Sequence, residues 1–354
     1  MNVLTSYIAK DIIKGALIAM LLLLTLFNLF TLSDELDDIG KGDYGIVGVF
    51  YFIALTSPTI FYELMPAAAL LGSLFTLGTK ANHHELIAMR ASGMTVFNII
   101  NAAMVAGVVL AALAIGVGEF IAPVTESQAQ LLRATAQHKT MITHTRYGIW
   151  LREGKRFINI RELKDDGSLA NISIYQVDEH QQLTQMQHAE QAIYLGQQQW
   201  RLQNLQRSTL AQEHTQADSI ANELWTSSIA PDLLKIAIVN PDNLSLYDLA
   251  LYTDFLKHNG QKSHRFEAAF WGRIVNPLVI FVMLLVSTPF VIGVKRGVTA
   301  GARILIGVVI GLSFNVLDMT VSHVGLIYDL NPALMAFLPS VTVALIGVLA
   351  VRKV

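Results

Sequence analysis

The 354-residue chain has no cysteine, which excludes disulfides, thiolate metal ligands and thiol nucleophiles together. Charge is scarce as well: 15% of positions are charged against 53% hydrophobic, a balance foreign to ordinary soluble domains. Neither sign prevails, with 25 basic residues facing 27 acidic ones. The basic field that holds nucleic acid is missing, so nucleic acid is not an expected partner. No G-x-x-x-x-G-K-[ST] phosphate loop occurs, because GVGEF and GVKRGVTAG lack its spacing and its following helix. The chain is therefore not expected to hydrolyse ATP by itself. His84-Glu85 opens the zinc-protease pattern HExxH, but position 88 is alanine and the second ligand is absent. His138, His144, His180, His188, His214, His258 and His264 scatter through a polar segment. No catalytic residue and no metal site are expected.

What the chain does have is long apolar runs. About 20 apolar residues cross a bilayer, and six stretches qualify, at 12–32, 50–79, 95–122, 268–294, 300–323 and 333–351. The first is too long for a signal-peptide core and ends in SDELDD without a cleavage pattern, so it reads as a retained span. Pro58 and Pro66 predict a kinked or partly interfacial second span. Lys10, Lys14, Lys80, Arg90, Lys295, Arg296, Arg303, Arg352 and Lys353 fall on one side of these spans. The opposite short loops hold Lys41 amid Asp34, Glu35, Asp37, Asp38 and Asp43, or Asp329 alone. By the positive-inside rule both termini are expected in the cytoplasm and the central insert outside.

That insert, 124–265, carries 29 of the 52 formal charges, 14 basic and 15 acidic. From Gly148 the runs IWLRE, RFINI, ISIYQV, AIYLG and WRLQNL alternate with period two and are broken by EGK, KDDGS and GQQQ. They predict antiparallel strands in a sandwich or jelly-roll-like sheet. SLYDLALYTDFLKHNG then predicts a connecting helix over 245–259, capped by Ser245 and stopped by Gly260. The expected fold class is a polytopic α-helical membrane protein of six transmembrane helices with an inserted all-β, jelly-roll-like domain. Its expected divisions are 1–123, 124–265 and 266–354.

Between spans two and three lies NHHELIAMRASGM. Asn82 followed by Glu85 reads as a capping box, and Ser92-Gly93 as a stop. A helix of about ten residues is marginal alone in water, so it must dock. Leu86, Ile87 and Met89 offer an apolar side, and His83, His84, Glu85 and Arg90 a polar one. A helix that only resolves the loop at the membrane interface fits the same residues. Glu63, Glu119, Arg273, Asp318 and His323 fall inside or near the spans, where ionisable groups are functional candidates by default. Bundle-holding ion pairs and a proton path both remain open; Glu63, Asp318 and His323 would serve an ion-coupled secondary transporter.

Three spans, a β-rich insert and three more spans, with HELIAMRASG, GEFIAP and NVLDMT in their places, resemble the lipopolysaccharide export permeases, the LptF/LptG family. SLYDLALYTDFLKHNGQ resembles its LptG branch more than LptF. The resemblance implies a non-catalytic inner-membrane subunit with its β-domain in the periplasm. It implies an LptF-like homologous permease as partner and an LptB-like ATPase dimer that uses ATP and Mg, this chain binding no cofactor. Lipopolysaccharide would pass through the jelly rolls towards LptC-like and LptA proteins. In that family the helix matching 82–92 is the coupling helix, which places His84, Glu85, Leu86, Met89 and Arg90 at the ATPase. Glu85 would make the polar contact, with Leu86 and Met89 filling a groove. Arg133 matches a basic headgroup position, Lys139, Lys262 and Arg265 would assist, and Phe27, Phe30 and Phe314 would line the acyl cavity. The family carries basic residues just after span one, whereas Asp37-Asp38 stand here with Lys41 following. The headgroup is then read from elsewhere, or the substrate differs in charge.

Overall fold

In hydrocarbon a chain must satisfy every backbone N–H and C=O internally, which leaves long apolar runs the α-helix. The computed structural model describes residues 3–137, 148–164, 166–210, 215–292 and 300–353. It opens with α1 (Val3–Leu36), α2 (Ile46–Asn82), the short α3 (Glu85–Ala91) and α4 (Val96–Gly116). A π turn, Val117–Ile121, joins α4 to α5 (Ala122–Ala136). Strands β1 (Ile149–Glu153), β2 (Arg156–Leu163), β3 (Leu169–Val177), β4 (Leu183–Gly196), β5 (Gln199–Leu210) and β6 (Thr215–Thr226) follow. Then come α6 (Pro231–Ile238), α7 (Leu246–His258), α8 (His264–Ile292), α9 (Ala300–Ile327) and α10 (Pro332–Arg352). Among the described residues, six helical stretches are long and apolar enough to cross a membrane: α1, α2, Val96–Ala136, His264–Val291, Gly301–Ile327 and α10. The third runs on as polar α5 past the expected division at 123/124, because α5 carries only the weak apolar signal of a half-solvated helix.

Two compact units result. One comprises Met1–Asp38, Val49–Ala129 and His264–Val354; the other comprises Ile39–Gly48 and Gln130–Ser263. In the helical unit small residues let backbones approach, as membrane interfaces require. A Cβ on Gly72 would lie 2.2 Å from the Ala16 nitrogen, and one on Gly107 2.9 Å from the Phe281 ring.

The prolines do not break this unit. Pro58 and Pro66 sit inside α2, which runs through both from Ile46 to Asn82. The reason lies on α8. Pro66 cannot donate to the Tyr62 carbonyl, and Asn276 Nδ2 donates to it instead at 3.2 Å. Pro277 likewise frees the Arg273 carbonyl, which accepts from the Tyr62 hydroxyl at 3.1 Å. At the π turn the Ala122 N–H goes to Val117 and Pro123 has none, which frees the Gly118 carbonyl. Arg273 Nη1 donates to that oxygen at 2.8 Å and to Glu119 Oε1 at 2.9 Å.

In the second unit the six strands form one antiparallel sheet in the order β1-β2-β3-β4-β5-β6, a meander. Its buried face carries Leu151, Ile158, Ile160, Ile172, Ile174, Leu202 and Leu205. Trp200 is fully buried, meets the Tyr194 and Trp225 rings in tilted contacts, and donates through Nε1 to the Ile229 carbonyl at 2.8 Å. Ser245 caps α7 by accepting from the Asp248 amide at 3.1 Å.

Candidate coupling site

The short helix is built differently from the sequence expectation. α2 runs through Asn82, so the capping box does not form. His84 adopts a left-handed conformation with φ 60°, and its carbonyl accepts the Ala88 amide at 3.0 Å, starting α3 without a side-chain cap. Asn82 has another partner, since Arg303 of α9 donates to its Oδ1 at 3.0 Å. The other end is a Schellman motif. Met94 N–H bonds the Met89 carbonyl at 3.1 Å and Gly93 N–H the Arg90 carbonyl at 3.1 Å, with Gly93 at φ 97°. Thr95 then caps α4 by accepting the Asn98 amide at 3.3 Å.

Seven residues do not hold a helix; tertiary contacts do. Leu86 and Met94 are buried in the chain's own core, and Met89 packs against it. Leu86 is 5% exposed within this chain, and its groove-filling role stays an expectation. Ile87, Arg90, His83 and His84 are among the exposed residues of the corner. Glu85, at the positive end of the helix, has its side chain 39% exposed and faces Lys80 at 3.1 Å. Lys80 is itself 7% exposed, pairs with Asp11 at 2.7 Å and lies 3.7 Å over the Tyr7 ring. The Tyr7 hydroxyl donates to Glu85 Oε2 at 3.3 Å. Tyr7, Asp11, Lys80 and Arg303 were not singled out for the site from sequence, and Asn82 only as a cap. Lys80 and Arg303 registered only as marks of orientation, since no periodicity pairs α1 or α9 with the α2–α3 corner.

The remaining candidates separate. Phe27 and Phe30 meet edge to face at 6.3 Å in the C-terminal half of α1, both exposed. Phe314 of α9 instead packs against the helical core. Arg133 lies half-buried in the last turn of α5, Lys262 is exposed before α8, and Arg265 is exposed in its first turn. Lys139 falls outside the described residues. Arg273 is buried and ion-paired with Glu119, while Glu63 is on the exposed side of α2. Asp318 is half-buried on α9, and exposed His323 turns Nδ1 to its own Met319 carbonyl at 2.8 Å. This arrangement gives the ion-coupled reading no support.

Comparison with known proteins decides the family. The family model described as Lipopolysaccharide export system permease LptF/LptG matches residues 6–353. The chain belongs to the LptF/LptG family. The lipopolysaccharide export system permease protein LptG of Escherichia coli K12 is 32% identical over 355 residues, covering 99% of each chain. The protein of that name from Haemophilus influenzae Rd is 33% identical over 340 residues, covering 96% of this chain and 95% of its own. As an LptF/LptG member with six apolar spans, it is a multi-pass inner-membrane protein and a permease subunit of lipopolysaccharide export.

Proposed function

We propose that this chain is the non-catalytic half of an ATP-driven lipopolysaccharide exporter, driven through α3 by a separate LptB-like ATPase dimer that binds ATP and Mg. One observation carries the reading: α3 is anchored from behind by Leu86 and Lys80 while Ile87, Arg90, His83, His84 and part of Glu85 stay exposed. A rigidly backed helix with a mixed apolar and charged outer face suits a partner's groove. A cytoplasmic corner, cytoplasmic termini and a periplasmic β-domain are supported by Lys10, Lys14, Lys80, Arg90 and Arg303, which fall on one side of the spans.

An LptF-like permease completes the bundle in this reading. Lipopolysaccharide acyl chains pass beside Phe27 and Phe30, with Phe314 deeper in the wall. Its phosphates are met by Arg133, Lys139, Lys262 and Arg265, for which cationic hydrogen bonds to phosphate are the physical basis. The β-domain then delivers it to an LptC-like membrane-anchored protein. The test is Glu85→Ala and Glu85→Lys in the assembled complex. Loss of a charge-assisted contact of about 1.5–3 kcal/mol is expected to lower ATPase retention on purification roughly ten- to hundredfold. Retention, hydrolysis and export all unchanged in Glu85→Lys would remove α3 from the coupling path.

A further inference from the structure

Docking of α3 does not by itself explain how a push on seven residues reaches the lipid-exposed part of the bundle. The side chains behind α3 offer a route. Two carboxylates share one buried ammonium, Lys80 holding Asp11 at 2.7 Å and Glu85 at 3.1 Å. Asp11 is on α1, as is Tyr7, whose hydroxyl reaches Glu85 and whose ring lies under the ammonium. A partner cation that draws Glu85 outward therefore leaves Lys80 neutralised by Asp11, and no buried charge is stranded.

α1 is built to pass that movement on. It is one proline-free helix of 34 residues, and its buried residues run from Thr5 to Met20, with only Glu35 buried beyond. It approaches α2 closely at Gly15 and Gly72, where a Cβ on either glycine would lie 2.2 Å from the other helix. Thr76 adds a bond to the Asp11 carbonyl at 3.3 Å on the inner side. Outward of the crossing, Leu21, Leu22, Leu26, Leu29 and Phe30 are exposed, and Asn28 reaches Ser57 Oγ at 3.1 Å. At about 1.5 Å per residue, the arm from Asp11 to Gly15 is about 6 Å and that from Gly15 to Leu29 about 21 Å.

We propose that Lys80 is a positioning residue that ties α3 to α1 and makes α1 a lever on the Gly15–Gly72 crossing. Capture of Glu85 by the partner releases its bonds to Tyr7 and Lys80, and α1, left with the Lys80–Asp11 pair, swings its outer half about the crossing. This rests on the docking reading given above. α1 opens or closes its lipid-facing side when α3 is loaded, with movement at Asp11 enlarged about threefold at Leu29 by the ratio of those arms.

Because the chain is free of cysteine, Leu29→Cys and Phe50→Cys accept a spin-label pair directly in the full complex with its homologous permease and ATPase, in nanodiscs. The label distance is compared between nucleotide-free and ATP–vanadate-trapped states. A shift is expected with Lys80 in place, none in Lys80→Met, and a recovered shift in Lys80→Arg, the ATPase remaining bound throughout. A shift that survives Lys80→Met, or no shift without any mutation while ATP is hydrolysed, overturns the lever. If Lys80→Met does not accumulate, Tyr7→Leu with Asp11→Asn cuts the α1 side and leaves the Lys80–Glu85 pair. Loss of the shift there supports the lever, and its persistence overturns it. Failure of the unmutated chain to retain the ATPase overturns the docking reading instead.

Discussion

Three carbonyls that proline and the π turn deprive of their helical donors are each met by a side chain from another helix. Tyr62 accepts from Asn276, Arg273 from Tyr62, and Gly118 from Arg273. Each residue is thus both rescued and rescuer, apart from Asn276 at one end and Gly118 at the other. Arg273→Leu leaves the Glu119 carboxylate and the Gly118 carbonyl without this donor, and breaking a buried pair costs about 3–5 kcal/mol. Tyr62→Phe removes one neutral bond, worth about 1 kcal/mol between membrane helices. Thermal unfolding in detergent should rank the unmutated chain above Tyr62→Phe and Tyr62→Phe above Arg273→Leu; equal midpoints would show that these bonds are incidental. The sequence announces Arg273 as a charge that must find a partner. It does not choose between Glu63 and Glu119, because that choice depends on a five-residue π turn with no signature in apolar periodicity.

The long elements were legible and the short ones less so, for a reason visible at α3. Hydrocarbon imposes a helix on every apolar run of span length, whatever its neighbours, and six such runs became six helical stretches. The alternating runs IWLRE and RFINI became β1 and β2 for the same kind of local reason. β6 is mostly exposed and polar along TQADSIANELWT, and its pattern carried no alternation to read. α3 begins at Glu85 and not after Asn82 because Arg303 takes the Asn82 side chain and Lys80 the Glu85 side chain, contacts set by tertiary structure. Close helix crossings are equally hidden, since a glycine in a span reads the same whether packed or free. Gly72 and Gly116 make the contrast measurable. A Cβ at Gly72 meets Ala16 backbone at 2.2 Å, whereas nothing lies within 4 Å of one at Gly116. Gly72→Ala should lose about 1–3 kcal/mol or more by overpacking. Gly116→Ala should be neutral or gain up to about 1 kcal/mol of helix propensity. Equal unfolding midpoints for the two would refute the close crossing.

For the molecule as a whole, function turns on which face of the membrane each end of the bundle meets. The bundle's short loops are asymmetric: Lys80, Arg90 and Arg303 gather at one end, while Asp34, Asp37, Asp38 and Asp329 mark the other. A protein chain inserts with its basic loops retained in the cytoplasm, and acidic residues contribute little to that choice. In the proposed orientation α3 faces the cytoplasm, where a separate ATPase can reach it. The family match fixes the kind of protein, and the charge asymmetry gives its orientation an independent physical argument. Single cysteines report it directly on this cysteine-free background. Ser92 ends α3 and His180 lies in the exposed turn between β3 and β4. In spheroplasts a membrane-impermeant maleimide should label His180→Cys and spare Ser92→Cys until the membrane is permeabilised. Labelling of Ser92→Cys in intact spheroplasts would place α3 on the wrong side for a cytoplasmic ATPase, and both the docking of α3 and the α1 lever would fall together.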